Sequence, residues 1–328
     1  MGIIKVSNSY KIALVGGGQI GSRYLQSIAA SRLDLELYIV DPSADSIRIC
    51  HERILEVNPS FDIEKISNLN SVNELPLMLD IVIVSTTANV RWKIISDLFK
   101  FDREVSYAIF EKILFQRESE YSQCEALLAT KNVKAWVNCA RRLIPIYTKL
   151  RNLVTGKLKK VVVSGGEWGL ISNTIHFIDI ISFMSGHDDI SSVECNILSP
   201  SESISKRHNF YESFGSIKGY CGDVKFEFTS KAGMGASNVI QLETDDLNIK
   251  VDENIGEITF FDKGKTSIEH FKMPLVSQLM GDEVESILLY GKCGLTPFAH
   301  SSRLHLPFIS SINNTFKTKY NIETCPLT

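Results

Sequence analysis

The sequence predicts an α/β protein in which a doubly wound parallel sheet is followed by an α+β region with a largely antiparallel, open sheet. Two patterns support this prediction. Up to about residue 140, short apolar runs alternate with segments of helical periodicity, as in βαβ units that form a parallel sheet. Beyond that point, short strands follow one another with turn residues between them, which indicates antiparallel pairing. We therefore expect two domains, residues 1–140 and residues 141–328.

In the first region, buried strands are predicted where short apolar runs end in glycine or in polar residues. These strands span residues 11–15, 35–40, 80–85, 107–110 and 134–138. The segments between them favour helices, which we predict at residues 20–30, 46–57, 90–99 and 118–130.

The second region begins with helices and then becomes rich in short strands. We predict helices at residues 143–153 and 173–184, with a strand at residues 159–164 between them. Further strands are predicted at residues 193–198, 214–220, 224–229, 237–243, 248–252 and 257–261. Helices at residues 275–290 and 301–316 complete the predicted elements.

The composition argues against several classes of protein. The formal net charge is −3 and no long run of one sign occurs, so the basic stripe of a nucleic-acid binder is missing. No apolar run is long enough to span a bilayer and no secretory signal is visible, so we expect a cytoplasmic protein. The seven cysteines form no CxxC pair and no metal-ligand spacing stands out. We therefore expect neither a disulfide framework nor a metal site.

A glycine-rich loop follows the first predicted strand. Residues 16–21 read GGGQIG and fit the GxGxxG pattern of the Rossmann domains that bind dinucleotides. In such a loop Gly16 permits the tight turn, Gly18 lets the backbone approach a pyrophosphate, and Gly21 allows the helix to pack closely against the strand. The helix that begins at Gln19 and Ile20 then presents free N–H groups to the phosphates. The alternative is a glycine turn that binds no ligand.

Asp41 ends the second predicted strand, at the distance from the loop where a Rossmann domain places its ribose-binding acid. The carboxylate can accept hydrogen bonds from both hydroxyls of an adenosine ribose and would repel a 2′-phosphate. No arginine follows it immediately, so the pattern favours NAD over NADP as the cofactor. The alternative is an acid that caps a helix or a turn before Pro42.

Ser85, Thr86 and Thr87 end the third predicted strand. At the carboxyl edge of a parallel sheet, hydroxyls and backbone amides face the ligand crevice, so we expect one of these residues to contact the cofactor. An ordinary capping role at the start of the next helix remains open for Thr87.

Glu111 and Lys112 follow the fourth predicted strand. A charged pair at the end of a buried strand needs a partner or a ligand. Lys112 could hold a substrate hydroxyl and stabilise a developing alkoxide, while Glu111 could orient the lysine or line the cofactor ribose. A solvated Glu-Lys pair in a loop is the equally open alternative.

Several of these motifs occur in the order found in one family. GGGQIG, Asp41, DIVIVSTT, EKIL, the later RLIP and HFID together resemble the glucose–fructose oxidoreductase, inositol dehydrogenase and MocA family, abbreviated Gfo/Idh/MocA. In that family a Glu-Lys-Pro motif carries the active-site lysine, which corresponds to Lys112. The proline is replaced by Ile113, so the resemblance leaves the geometry of this loop, often a cis proline in the family, in question.

The resemblance also implies a helix that carries an Asp and, four residues later, a catalytic His. The His position is His176, but the Asp position is Ser172, which lacks a carboxylate. His176 can move a proton near neutral pH, whereas Ser172 cannot do so without activation. Asn173 could supply a substrate hydrogen bond from the same helical face, and Asp179 could orient the imidazole. A structural role for Asp179 in capping or pairing is the alternative.

Two further residues are candidates for substrate contact. Arg142 could bind an anionic group such as a carboxylate or phosphate, or it could form an ion pair within the protein. Trp168 could stack against a sugar face, and ordinary packing is its alternative.

The resemblance implies an NAD-dependent oxidoreductase that transfers a hydride between nicotinamide and a hydroxyl of a sugar or nucleotide sugar. The residues around His176 look like members associated with surface-polysaccharide biosynthesis. The alternative function is a regulator that binds a dinucleotide or a sugar on the same fold without turnover. If the outer face of the C-terminal sheet is apolar, it would need cover, and family members often pair there, so we expect a homodimer or homotetramer.

Overall fold

A computed structural model describes residues 9–205 and 207–328 of the 328-residue chain. It contains two compact units, and each unit is built from several stretches of the chain. The first comprises residues 9–111, Ser122–Asn138 and Leu275–Phe298. The second comprises Lys112–Tyr121, Ala299–Thr328 and the described residues from 139 to 274. This division differs from the predicted domains 1–140 and 141–328, because the chain returns to the first unit after the second sheet is complete.

The helices and strands follow the predicted alternation. Up to residue 138 they are β1 (Tyr10–Val15), α1 (Gln19–Ala29), β2 (Leu35–Val40), α2 (Ala44–Val57), β3 (Ile66–Leu69), β4 (Met78–Val84), α3 (Ala88–Leu98), β5 (Glu104–Glu111), α4 (Glu118–Thr130) and β6 (Lys134–Asn138). They continue with α5 (Pro145–Val154), β7 (Lys160–Gly165), α6 (Leu170–Ser185), β8 (Ile190–Ser201), β9 (Glu212–Cys221), β10 (Val224–Ser230), β11 (Asn238–Glu243), β12 (Leu247–Asp252), β13 (Glu257–Asp262), β14 (Lys265–His270), α7 (Val276–Tyr290), β15 (Thr296–Pro297) and α8 (Phe298–Tyr320).

The sheet of the first unit has the strand order β3-β2-β1-β4-β5-β6-β15. All pairs are parallel except that of β15 with β6. The order 3-2-1-4-5-6 is that of a dinucleotide-binding Rossmann fold, whose ligands bind where the order reverses, between β1 and β4. The central strands are fully buried, as at Ile12, Leu14, Ile81 and Ile83. The predicted doubly wound parallel sheet is confirmed.

The late return of the chain completes this unit. Helix α7 packs on α1, where the amide of Gly281 donates a hydrogen bond to Ser27 Oγ at 2.7 Å. A Cβ at Gly281 would lie 2.5 Å from the carbonyl oxygen of Ser27, so the two helices approach as closely as their backbones allow. Strand β15 then pairs with β6 through Thr296 opposite Val137.

The sheet of the second unit has the order β14-β13-β12-β11-β7-β10-β9-β8. Only the β7–β10 pair is parallel, which confirms the largely antiparallel open sheet. Alternate residues such as Val163, Phe226 and Ile249 are buried on one face, on the side where α6 packs.

The opposite face of this sheet is mixed in character. It carries ion pairs between Lys218 and Glu227 at 3.0 Å and between Lys160 and Glu243 at 3.4 Å. It also exposes the large apolar side chains of Tyr220, Phe261 and Ile268. The predicted homodimer or homotetramer stays a prediction.

The described residues contain neither a candidate membrane span nor a candidate metal-ligand cluster. No helix of residues 9–205 and 207–328 is long and apolar enough to cross a membrane. The same ranges contain no group of three or more His, Cys, Asp or Glu side chains placed to hold a metal ion. None of the seven cysteines, all of which lie in the described ranges, forms a disulfide, and six of them are buried.

Candidate functional site

The glycine loop meets three geometric demands of a dinucleotide loop. Gly16 has φ of +98°, a conformation that other residues rarely adopt. A Cβ at Gly21 would lie 2.0 Å from the carbonyl oxygen of Gly16, so only glycine allows α1 to start this close to β1. A Cβ at Gly18 would meet nothing within 4 Å, so the loop opens onto free space there.

The start of α1 is held from the neighbouring helix α2. Gly18 is the N-cap residue and provides no side-chain cap, which leaves amides of the first turn available to an anion. Arg53 donates to the carbonyl oxygen of Gln19 at 2.9 Å and to its side-chain oxygen at 2.8 Å. Gln19 is exposed and Ile20 is partly exposed, so both predicted cofactor contacts lie at the surface of the loop.

Asp41 lies directly beside this loop. Its Oδ2 accepts from the amide of Gly17 at 2.7 Å, and its Oδ1 accepts from the amide of Ser43 at 2.8 Å. These two bonds fix the carboxylate, and each oxygen keeps a second lone pair for a ligand hydroxyl. The turn role and the ribose-binding role of Asp41 are therefore compatible.

The three residues after β4 have different surroundings. Ser85 donates from its hydroxyl to the carbonyl oxygen of Gly16 at 2.6 Å and thereby braces the loop. Thr87 occupies the N-cap position of α3, but its hydroxyl donates to Asn89 Oδ1 at 2.7 Å and does not cap the helix. Thr86 Oγ1 is buried without a hydrogen-bond partner in the described part of the chain, so it can serve a bound group.

Glu111 is buried at the end of β5, and a solvated Glu-Lys pair is therefore the wrong interpretation for this residue. One carboxylate oxygen accepts from the hydroxyl of Tyr24 on α1 and, at 3.1 Å, from the amide nitrogen of Asn138 at the end of β6. Burial and then Glu111 raise the pKa of Tyr24 well above 10, so the phenol keeps its proton and donates. Asn138 Oδ1 is a second buried acceptor that lacks a partner among the described residues.

These observations agree with a nicotinamide dinucleotide as the ligand of the first unit. The open space at Gly18 leaves room for such a ligand. The ligand could also bind the uncapped amides of the first turn of α1 and the unpartnered hydroxyl of Thr86.

The second unit contains a cavity of about 640 Å³, within the size range of small-molecule sites. Its wall is formed by the start of α6, the segment before and into β9, and the loop after β10. The lining residues include Lys112, Glu167, Trp168, Ser172, Asn173, Arg207, Phe210, Tyr211, Glu212 and Ser230.

Lys112 opens the second unit and lines this cavity while half-buried. Its ammonium donates to the carbonyl oxygen of Ser172, in the first turn of α6, at 2.9 Å. The peptide bond between Lys112 and Ile113 is cis.

Ser172 has no carboxylate of its own, but one reaches it from β9. Glu212 Oε2 accepts from the hydroxyl of Ser172 at 2.7 Å and from its amide at 3.1 Å. Glu212 was not predicted as a site residue. It lies 40 residues further along the chain, and no local pattern around it marks the contact.

His176 lies one helical turn after Ser172 on α6 and is not among the residues that line the cavity. Burial holds the pKa of its imidazole well below 6.5, and Lys112, Arg141 and His305 act in the same direction. The ring is therefore neutral near pH 7. Its Nδ1 atom is buried and has no hydrogen-bond partner within residues 9–205 and 207–328.

The structure corrects the predicted roles of Arg142 and Asp179. Arg142 forms a bidentate pair with Asp179 at 2.9 and 2.8 Å, and both side chains are buried. The guanidinium is therefore committed to a carboxylate inside the unit and is not presented to a substrate anion. Asp179 likewise pairs with Arg142 and does not orient His176. Burial of both partners is the physical reason, since an unpaired charge at this position would be costly.

Trp168 and Asn173, both predicted to contact the substrate, lie at the cavity wall and have contacts within the protein. The indole of Trp168 is buried, packs edge-to-face on Phe177 at 5.2 Å and donates to the carbonyl oxygen of Thr229 at 2.9 Å. Asn173 donates from its side chain to the carbonyl oxygen of Trp168 at 2.6 Å. Packing is therefore the established role of Trp168, and contact with a sugar stays a prediction.

No protein-family model matches the sequence, and no curated protein is similar to it in sequence. Solved structures are similar in fold. UDP-N-acetylglucosamine 3-dehydrogenase GnnA from Acidithiobacillus ferrooxidans matches with a TM-score of 0.70 at 11% identity, covering 97% of this chain and 99% of that chain. The super-repressor mutant of Gal80p from Saccharomyces cerevisiae matches with a TM-score of 0.72 at 13% identity, covering 94% and 96%.

Biliverdin reductase from Synechocystis sp. PCC 6803, in complex with biliverdin and NADP+, matches with a TM-score of 0.69 at 11% identity, covering 93% of this chain and 98% of that chain. The chain has the fold of the Gfo/Idh/MocA oxidoreductases. Identities this low establish the Gfo/Idh/MocA fold alone, so the activity has to be argued from the site.

The buried pair of Arg142 and Asp179 predicts a stability effect. Replacing Asp179 with Ala leaves an uncompensated buried guanidinium, and we expect the free energy of unfolding to fall by about 3–5 kcal/mol. Urea unfolding of the two proteins measures the difference. The control is Glu323→Ala, which breaks the exposed pair with Lys317 and should cost ~0–1 kcal/mol. An unchanged urea midpoint for Asp179→Ala would contradict the structural role.

The depressed pKa of His176 predicts a dependence of stability on pH. Above pH 6.5 the imidazole is neutral in both the folded and the unfolded chain. As the pH falls below 6.5, the unfolded chain takes up a proton that the folded protein does not, so the free energy of unfolding decreases. Urea unfolding at several pH values should show a smaller decrease for His176→Gln than for the wild type. His208→Gln, which changes an exposed histidine, should leave the decrease unchanged, and an equal pH slope for His176→Gln and wild type would refute the prediction.

Proposed function

We propose that this protein is a nicotinamide-dependent oxidoreductase that transfers a hydride between NAD and a hydroxyl-bearing carbon of a sugar or nucleotide sugar. The proposal rests first on the loop at Gly16, Gly18 and Gly21. Its positive φ, its close helix approach and its free space are the three properties that a bound pyrophosphate requires. The preference for NAD over NADP rests on the carboxylate of Asp41 beside that loop, since it would repel a 2′-phosphate.

The substrate is proposed to bind in the cavity of the second unit. A volume of about 640 Å³ exceeds what one hexose needs and leaves room for a linked group. Its wall supplies donors and acceptors from Lys112, Ser172 and Asn173, which suit a ligand with several hydroxyls. A role in surface-polysaccharide biosynthesis is the proposed context, on the sequence likeness around His176.

When bound, the nicotinamide ring accepts or returns the hydride. Lys112 is proposed to hold the substrate oxygen, where its ammonium stabilises the negative charge that develops as the hydride leaves. His176 is proposed to take the hydroxyl proton and to return it in the reverse direction. Its depressed pKa keeps the imidazole neutral near pH 7, so the ring can accept a proton but is a weak base. His176 does not line the cavity, so this role requires the proton to reach the buried ring from the cavity wall.

A second function has a specific observation in its favour. Ser172 stands where the resemblance places an acid. Gal80p has the same fold, and the two similar structures of it are a super-repressor mutant and a transcriptional regulator. A regulator that binds a dinucleotide or a sugar without turnover is therefore the alternative proposal. Tight NADH binding without turnover on any substrate would favour it.

The glycine loop separates dinucleotide binding from folding. Gly18→Ala places a methyl group in open space, so we expect unchanged thermal stability and a weaker affinity for NADH, because the methyl group occupies the approach of the pyrophosphate. Gly21→Ala places its Cβ against the carbonyl oxygen of Gly16, so both the stability and the affinity should fall. NADH fluorescence titration and thermal unfolding measure the two quantities. Equal NADH affinities for wild type and Gly18→Ala would remove the loop from the binding site.

Turnover tests the reaction itself. Purified protein is mixed with NAD and a panel of nucleotide sugars and sugar acids, and NADH formation is followed by absorbance. We expect one substrate to react, with kcat lowered roughly 10²–10³-fold in Lys112→Ala and roughly 10²–10⁴-fold in His176→Ala. Turnover that survives both changes would keep the oxidoreductase and reject the two assigned residues.

A further inference from the structure

Glu212 is a buried carboxylate that the proposed reaction does not use. It begins β9, is 6% exposed, and lines the same cavity as Lys112. A buried carboxylate is retained only where donors surround it. Its donors include two consecutive residues of α6 and its own neighbour Ser213.

These donors make Glu212 the cap of α6. Its Oε1 accepts from the amide of Ile171 at 2.6 Å, and its Oε2 accepts from the amide and the hydroxyl of Ser172 at 3.1 and 2.7 Å. The N-cap residue of α6 is Gly169, which has no side chain to satisfy the first amides. A carboxylate from β9 therefore does this and places a negative charge at the positive end of the helix.

Ser172 connects this cap to the candidate catalytic lysine. Its amide and hydroxyl donate to Glu212, and its carbonyl oxygen accepts from the ammonium of Lys112 at 2.9 Å. The carbonyl oxygen of Ser172, which accepts from Lys112, is thus held in place by the bonds that Ser172 makes to Glu212. Glu212 and Lys112 both line the cavity, so the negative charge of the carboxylate partly neutralises the positive charge of the ammonium there.

We propose that Glu212 is a positioning residue for Lys112. It fixes the first turn of α6 and with it the carbonyl group that directs the lysine ammonium into the cavity. A cap that served the helix alone would change only stability, whereas a positioning residue also changes the behaviour of Lys112. The effect on turnover rests on the proposed function, but the effect on Lys112 itself does not.

The first measurement needs no substrate. Full-length wild type and Glu212→Gln are treated briefly with acetic anhydride at mildly alkaline pH, and acetylation of Lys112 is quantified by mass spectrometry relative to the exposed Lys250. Glutamine keeps the size of the side chain but removes its charge and one acceptor. We expect the acetylation rate of Lys112 to rise roughly tenfold in Glu212→Gln. A hydrogen bond to a charged group contributes an energy that corresponds to about this factor.

Three further variants make the result specific. Glu212→Asp keeps the charge and should bring the acetylation rate of Lys112 back toward that of the wild type. Glu227→Gln removes a carboxylate from the outer face of the same sheet and should leave the rate unchanged. If Glu212→Gln does not fold, Ser172→Ala removes only the bond from the hydroxyl to Oε2 and should give a smaller increase in rate. A lowered melting temperature with unchanged acetylation of Lys112 would overturn the proposal and leave Glu212 as a helix cap.

Turnover provides the second measurement. With a substrate found in the panel, kcat of Glu212→Gln should fall by roughly tenfold to a hundredfold, as expected for a displaced catalytic group, while KM changes little. An unchanged kcat would argue against positioning. If no substrate reacts, the proposed oxidoreductase fails, and the acetylation rates still decide the role of Glu212.

Discussion

The closeness of α1 to the end of β1 is the constraint on which the first unit depends. Only a hydrogen atom fits between the Cα of Gly21 and the carbonyl oxygen of Gly16, because a Cβ at residue 21 would lie 2.0 Å from that oxygen. This approach brings the start of α1 to the edge where β2 and β4 also end. Asp41 and Ser85 then reach the loop backbone with short side chains. A wider spacing would leave both polar groups without these partners.

In the second unit, the start of a helix is also fixed by contacts with a strand. Its helix α6 starts after a glycine in a left-handed conformation, and the missing cap comes from a strand far along the chain. Further along the same helix, Asp179 neutralises Arg142, and Arg141 pairs with Glu253 at 2.9 and 3.0 Å next to the ring of Phe177. Both charged pairs beside this apolar helix are thus formed between oppositely charged partners. His176 is neutral chiefly because it is buried, and Lys112 and Arg141 act in the same direction.

The predictable part of this protein is the part whose signals are local. Predicted residues 35–40 and 134–138 coincide with β2 and β6, because their apolar runs are bounded by polar or turn residues. Predicted residues 118–130 coincide with α4, which fills the stretch between two such strands. Strand β14 was missed because all six of its residues are exposed, so no alternation exists to detect. The loop and Asp41 follow from spacing along the chain. Glu212 and the Arg141–Glu253 pair join residues 40 and 112 positions apart, and no local pattern encodes such contacts.

The return of the chain to the first unit has a consequence for how this protein is made. Helix α7 and strand β15 complete a unit whose first strand begins near residue 10, so that unit lacks a side of α1 and one edge of its sheet until about residue 298 has been synthesised. On the ribosome, the first unit is therefore completed only after residues 112–121 and 139–274 of the second have been synthesised, while Ala299–Thr328 follow later. No single cut of the chain separates the two units.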